Sequence, residues 1–142
     1  NEWSFKHPRP YDFIRCAERV SGLELDWYLM DWAQTTKQLD YQVNSIVGEG
    51  GKTKIVLKRE KQMPMPIDIE VVLNDGTSVV YNIPLTMMRG HRPLAGARLL
   101  ESWSWAQPYY VFEVDFAKES IVEVVIDPLN FTADINKKNN RL

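Results

Sequence analysis

At 142 residues, with 44% hydrophobic and 25% charged residues, the chain has the composition of a globular domain with a sizeable core, which excludes intrinsic disorder. A net charge of −2 leaves no global basic field for nucleic acid or an anionic membrane. The single Cys16 excludes an internal disulfide and a multi-cysteine zinc site, and no apolar run reaches the roughly 18 residues a membrane span needs.

Residues 1–38 read as a helical hairpin. Pro10 suits a first helical turn, and Phe13, Ile14, Ala17 and Val20 then recur at helical spacing as one apolar stripe. Ser21-Gly22 stops this helix, with the glycine as a left-handed cap, and Ser21 with Glu24 offers a capping box for a second. That second helix sets Leu25, Tyr28, Leu29 and Trp32 on one face, with Trp27 and Met30 beside it. A hairpin this short needs a partner surface for its aromatic residues.

From residue 39 to residue 142 the period falls to two. Tyr41, Val43, Ser45 and Val47 alternate up to the glycine-rich break at Gly48–Gly51, and Thr53, Ile55 and Leu57 resume opposite Lys52, Lys54 and Lys58. Met63–Pro66 reads as a loop or edge entry, since proline cannot donate to a ladder. Ile67, Ile69, Val71 and Leu73 follow, and the tight-turn signal Asn74–Thr77 returns the chain through Val79, Tyr81 and Ile83. Residues 87–107 are irregular, with Trp103 and Trp105 at strand spacing and therefore expected on one side. Tyr110, Phe112, Val114 and Phe116, then Val122, Val124 and Ile126, supply the last strands, and residues 134–142 read as a polar surface coil. The expected fold is mainly β with an N-terminal α-helical hairpin, the strands forming an antiparallel sandwich of fibronectin/immunoglobulin-like type.

Catalytic chemistry finds little footing. A zinc peptidase helix needs two histidines one turn apart, and the chain has only His7 and His91, which read as loop residues. Cys16 sits mid-helix as a small buried thiol, and Asp68 and Glu70 fill the wet face of an alternating strand. The glycines of Gly48–Gly51 lack the lysine and helix start of a phosphate loop, and Asn130–Thr132 matches a short glycosylation triplet. No catalytic, cofactor-binding or metal-binding residue is assigned. Trp103, Trp105, Tyr109 and Tyr110 form the candidate ligand platform, which would make the sandwich an independent peptide- or carbohydrate-binding module.

One stretch adds a different expectation. His7-Pro8, Pro10, Asp12-Phe13, Ser21-Gly22 and Leu25-Asp26-Trp27 with Trp32, followed by the strand at Leu39–Val43 and the closing Val122–Asn140 segment, resemble the C-terminal region of bacterial aminopeptidase-N-type (gluzincin) zinc metallopeptidases. The resemblance implies that residues 1–38 are the end of a catalytic domain and residues 39–142 a β-sandwich accessory domain with a polar tail. It implies a parent hydrolase whose zinc-bound water attacks a peptide substrate, with zinc and all active-site residues lying outside this chain. The chain would be inactive by itself, with Trp27, Tyr28 and Trp32 packing against the parent's catalytic domain or supporting a homodimer through the hairpin. The same resemblance implies an exported, periplasmic or cell-surface, location.

Overall fold

The computed structural model describes residues 4–142; the first three positions of the 1–38 hairpin unit lie outside the described residues. Two helices come first, α1 (Pro10–Ser21) and α2 (Asp26–Gln34). Seven strands follow: β1 (Tyr41–Glu49), β2 (Lys52–Arg59), β3 (Ile67–Leu73), β4 (Ser78–Ile83), β5 (Arg98–Leu99), β6 (Tyr109–Val114) and β7 (Ile121–Ile126). They form a three-stranded sheet in the order β1-β2-β6 and a four-stranded sheet in the order β5-β4-β3-β7. The result is β-sandwich-like. The larger sheet is mixed rather than wholly antiparallel, because the two-residue β5 pairs parallel with β4.

The inner faces supply one core. Ile55, Leu57, Phe112 and Val114 of the smaller sheet meet Ile67, Ile69, Val71, Ile83, Val124 and Ile126 of the larger. An aromatic chain crosses it: Tyr41 to Trp103 at 5.3 Å between ring centroids, Trp103 to Tyr110 at 5.2 Å, Tyr110 to Phe112 at 6.2 Å, and Phe112 to Tyr81 at 5.5 Å. Strands β2 and β3 keep strict alternation, with Thr53, Ile55 and Leu57 buried in one and Ile67, Ile69, Val71 and Leu73 in the other. The turn after β3 is closed by Asp75, which accepts the Thr77 N–H at 2.8 Å, and Gly76 supplies the positive φ of 84° that the reversal needs.

Two strands depart from the simple period. β1 shifts register between Val43 and Ser45, so one extra residue faces β2 and the alternation inverts beyond it. Val47, expected inward, is 50% exposed, and Ile46 packs against the core instead. β7 pairs with β3 through a similar irregularity at Val72/Leu73, which leaves Val122 64% exposed.

The larger correction concerns residues 134–142, which are not a loose surface coil. The Ile135 N–H donates to the Leu39 carbonyl at 3.0 Å and the Val43 N–H to the Asn139 carbonyl at 3.0 Å, so the segment runs along the outer edge of β1. It then reaches β7, where Ile126 donates to Asn140 at 2.7 Å and Val124 and Leu142 exchange bonds of 2.9 and 3.1 Å. β1 and β7 are the edge strands of their respective sheets, so this segment covers both edges on one side of the sandwich. Buried carboxylates hold it. Asp134 accepts the Tyr41 N–H at 2.9 Å and the Asn136 N–H at 2.8 Å, and Asp40 accepts the Asn139 side-chain amide at 2.8 Å. Upstream, Asp127 sits at φ 52° and accepts the Phe131 and Thr132 N–H groups, each at 2.8 Å.

Asp134→Ala is expected to strand two backbone donors and cost about 1–3 kcal/mol, read as a lower denaturant midpoint at unchanged slope. The exposed Lys138→Ala in the same segment serves as the control and is expected within about 0.5 kcal/mol of the parent chain.

Candidate functional site

Local forces shape the hairpin well. Pro10 opens α1, and Asp12 accepts the Arg9 backbone N–H at 2.8 Å, satisfying a donor ahead of the first turn. Gly22, at φ 73°, ends the helix by donating to the Glu18 carbonyl at 2.7 Å. Ser21 does not cap α2; its hydroxyl turns back to the Ala17 carbonyl at 2.7 Å, and Leu25 occupies the cap position without a side-chain bond. The corner is tied by Glu18, whose carboxylate accepts the Leu25 N–H at 2.9 Å and the Arg15 guanidinium at 3.0 Å.

The hairpin rests on the sandwich through its connecting corner. The Glu24 N–H donates to the Met88 carbonyl at 3.0 Å, and Leu23 and Trp27 pack against the core cluster. Gly90 permits this approach, since a Cβ there would lie 2.9 Å from a Leu23 methyl. Beside the contact lies a groove of about 370 Å³ with Leu23, Trp27, Met65, Pro84, Met88 and Phe131 in its walls. On its polar side Asp68 accepts the Asn82 amide at 2.7 Å and also pairs with Arg92, while the buried Asn82 Oδ1 has no hydrogen-bond partner.

Away from the sandwich, α1 is largely uncovered. Of the expected stripe only Ile14 is buried, while Phe13 is 69% and Val20 90% exposed. The aromatic face of α2 is intermediate. Trp27 is half-buried and stacks edge-on to Tyr28 at 5.7 Å; Tyr28 contacts Trp32 at 5.8 Å, and both remain over a third exposed.

The platform residues do not share a surface. Trp103 is 1% exposed, its indole N–H donating to the Gln107 carbonyl at 2.8 Å, whereas Trp105 is 62% exposed. Expecting both on one side assumed an extended chain. Instead, the Gln107 N–H bonds the Ser104 carbonyl at 3.1 Å and closes a turn with Trp105 at its tip. Tyr109 is half exposed, while Tyr110 points inward and donates to the Glu101 carbonyl at 2.7 Å. Burial, with a lesser push from Glu101, raises the Tyr110 hydroxyl to about 12, and burial also raises Tyr41.

The remaining candidates stay apart. His7 and His91 are exposed, Cys16 is half-buried in α1, and Glu70 accepts the Ser78 hydroxyl at 2.7 Å. Sequence reading missed the approach of Glu18, Glu24 and Asp26, whose oxygens lie within 4.8 Å of one another, because it crosses the helix corner. Within this cluster Arg15 pairs with Glu18 at 3.0 Å and lies 4.0 Å from Asp26, and Glu18 also accepts the Leu25 N–H. In comparisons with known proteins, the chain matches no family model, no curated protein and no solved structure. Among the described residues no helix is long and apolar enough to cross a membrane.

The two tryptophans should separate sharply in denaturation. Trp103→Ala is expected to cost about 3–5 kcal/mol, and Trp105→Ala less than about 0.5 kcal/mol. Alkaline titration gives a second check. Raised tyrosine pKa values mean that the fold prefers the neutral phenols, so their contribution is intact below about pH 10, the ordinary phenol value, and falls away as the pH climbs toward 12. Phenolate absorbance from Tyr110 is expected to appear within that window.

Proposed function

We propose that this chain is the non-catalytic accessory end of an aminopeptidase-N-type zinc metallopeptidase, with its hairpin seated on the parent's catalytic domain and its sandwich, of fibronectin/immunoglobulin-like type, standing behind. The observation that carries the reading is the uncovered stripe of α1, where Phe13 is 69% and Val20 90% exposed on a helix that otherwise folds well. Such a helix gains little from its own sandwich and would gain about 25 cal/mol for each Å² of apolar surface that a neighbouring domain covered. The order of Pro, Gly and aromatic residues from His7 to Trp32 supplies the family. The division into a three- and a four-stranded sheet supports the sandwich type.

In this reading zinc belongs to the parent's catalytic domain. Among the described residues the two histidines are solitary and exposed, and the carboxylates that cluster at the hairpin corner have no histidine or cysteine beside them, which does not fit the nitrogen and sulfur ligand set zinc prefers. Its contribution is mechanical: a rigid sandwich holds an apolar hairpin against the rear of the peptidase domain and keeps the cleft in shape.

The test uses the reading frame upstream of Asn1 and the longer protein it encodes. An HExxH motif with a downstream glutamate is expected there; an upstream region without this family's pattern overturns the assignment. In the longer protein the double variant Phe13→Asp/Val20→Asp is expected to lower the unfolding free energy by about 2–4 kcal/mol and to reduce chelator-sensitive aminopeptidase activity. The same substitutions in the isolated 142-residue chain are expected to change stability by less than about 0.5 kcal/mol, since both positions already face water.

A further inference from the structure

The outer edge of β6 is an unused pairing surface. β6 forms the end of its sheet and pairs with β2 alone, whereas the opposite edge of that sheet, β1, is covered by residues 134–142. Which groups face outward follows from the ladder. The Arg59 N–H donates to the Pro108 carbonyl at 2.8 Å, and pairing alternates from there, turning the backbone of Tyr110, Phe112 and Val114 toward β2. The N–H and C=O groups of Tyr109, Val111 and Glu113 therefore point away from the sheet. Their side chains are also exposed, Val111 to 56% and Tyr109 to 50%.

We propose that this edge pairs antiparallel with β6 of a second copy of the chain, about a two-fold axis through Val111. The register follows from charge. In this alignment Val111 meets Val111 of the partner subunit, and Tyr109 meets Glu113 of the partner subunit. Across the joined sheet the central row reads Val56, Val111, then Val111 and Val56 of the partner subunit, because Val56 is the β2 neighbour of Val111. Each flanking row places Lys58, Tyr109, then Glu113 and Lys54 of the partner subunit side by side, because Lys58 neighbours Tyr109 and Lys54 neighbours Glu113 within each copy. Lys58 already lies 5.9 Å from the Tyr109 ring centroid, so the glutamate enters a row with a lysine on either side, Lys58 paired with Glu60 and Lys54 with Glu49 in each copy. No like charges oppose one another, and three outward residues per strand give six backbone hydrogen bonds. A symmetric pairing of this kind closes on itself as a dimer rather than propagating as a fibre.

A single strand pair buries less than a standard interface, so the dimer is weak, with a Kd expected below about 1 mM. Sedimentation of the 142-residue chain across a concentration series, with amide exchange read by NMR, tests it. The expected result is a monomer–dimer equilibrium in which the amides of Tyr109, Val111 and Glu113 gain protection with concentration, while those of Tyr110, Phe112 and Val114 are protected throughout. Val111→Pro removes an outward donor without touching the β2 ladder, and is expected to raise the Kd at least about tenfold. Glu113→Lys, which leaves the backbone intact, is expected to weaken the dimer by a similar factor through repulsion from Lys54 and from Lys58 of the partner subunit. A chain that stays monomeric at about 1 mM overturns the proposal. So does a dimer that survives both β6 variants but dissociates in Phe13→Asp/Val20→Asp, which would place the contact on the hairpin and leave the accessory-domain reading untouched.

Discussion

The clasp made by residues 134–142 across the edges of β1 and β7 is the constraint on which the sandwich depends. Two sheets laid face to face leave a seam wherever their edge strands end, and the backbone groups along it need partners once water is excluded. Here a single segment supplies them to both sheets, bonding Val43 on one side and Val124 and Ile126 on the other. It can do so because Asp134 and Asp127 spend their carboxylates on backbone N–H groups, fixing the path of an otherwise irregular chain. Charged side chains at these positions act as ligands for the main chain rather than as solvated surface.

With that seam shut, the interior is largely self-sufficient. Its aromatic chain runs from Tyr41 beneath the clasp to Tyr81 in the larger sheet, and Trp103 plugs the end where the irregular 87–107 region would otherwise admit water. The hairpin takes little part in this. Among the described residues it meets the sandwich through Leu23, Trp27 and the backbone hydrogen bonds Glu24–Met88 and Met63–Gln38, and α1 buries only Ile14. The molecule thus joins a closed β unit to a helical unit whose best apolar surface points elsewhere, an asymmetry that motivates looking outside the chain for what covers it.

The legibility of these features in the sequence follows the range of the forces involved. β2 and β3 were readable because both lie inside their sheets, where burial on one face enforces alternation residue by residue. β1 and β7 read correctly as strands, but their bulges did not show, since a shifted register is settled by the facing strand and leaves no local mark. The helix stop at Gly22 was plain, whereas Ser21 spent its hydroxyl on Ala17, a competition between two nearby acceptors that composition cannot resolve. Trp103 and Trp105 are alike in sequence and opposite in burial because Trp105 sits in a turn that begins just after Trp103. The clasp was least visible. Aspartate and asparagine look the same whether they face water or bind a strand 93 or 99 residues away.

That separation in sequence bears on how the protein is made. The Tyr41–Asp134 and Asp40–Asn139 bonds join the beginning of β1 to a segment synthesised 93 to 99 residues later, so the seam stays open until that segment has left the ribosome. Hairpins β1–β2 and β3–β4 have short connections and can form early, but they wait with the β1 edge exposed until residues 134–142 emerge. The nascent chain therefore passes through a stage with a sticky strand edge, and its yield in a cell depends on how long that stage lasts.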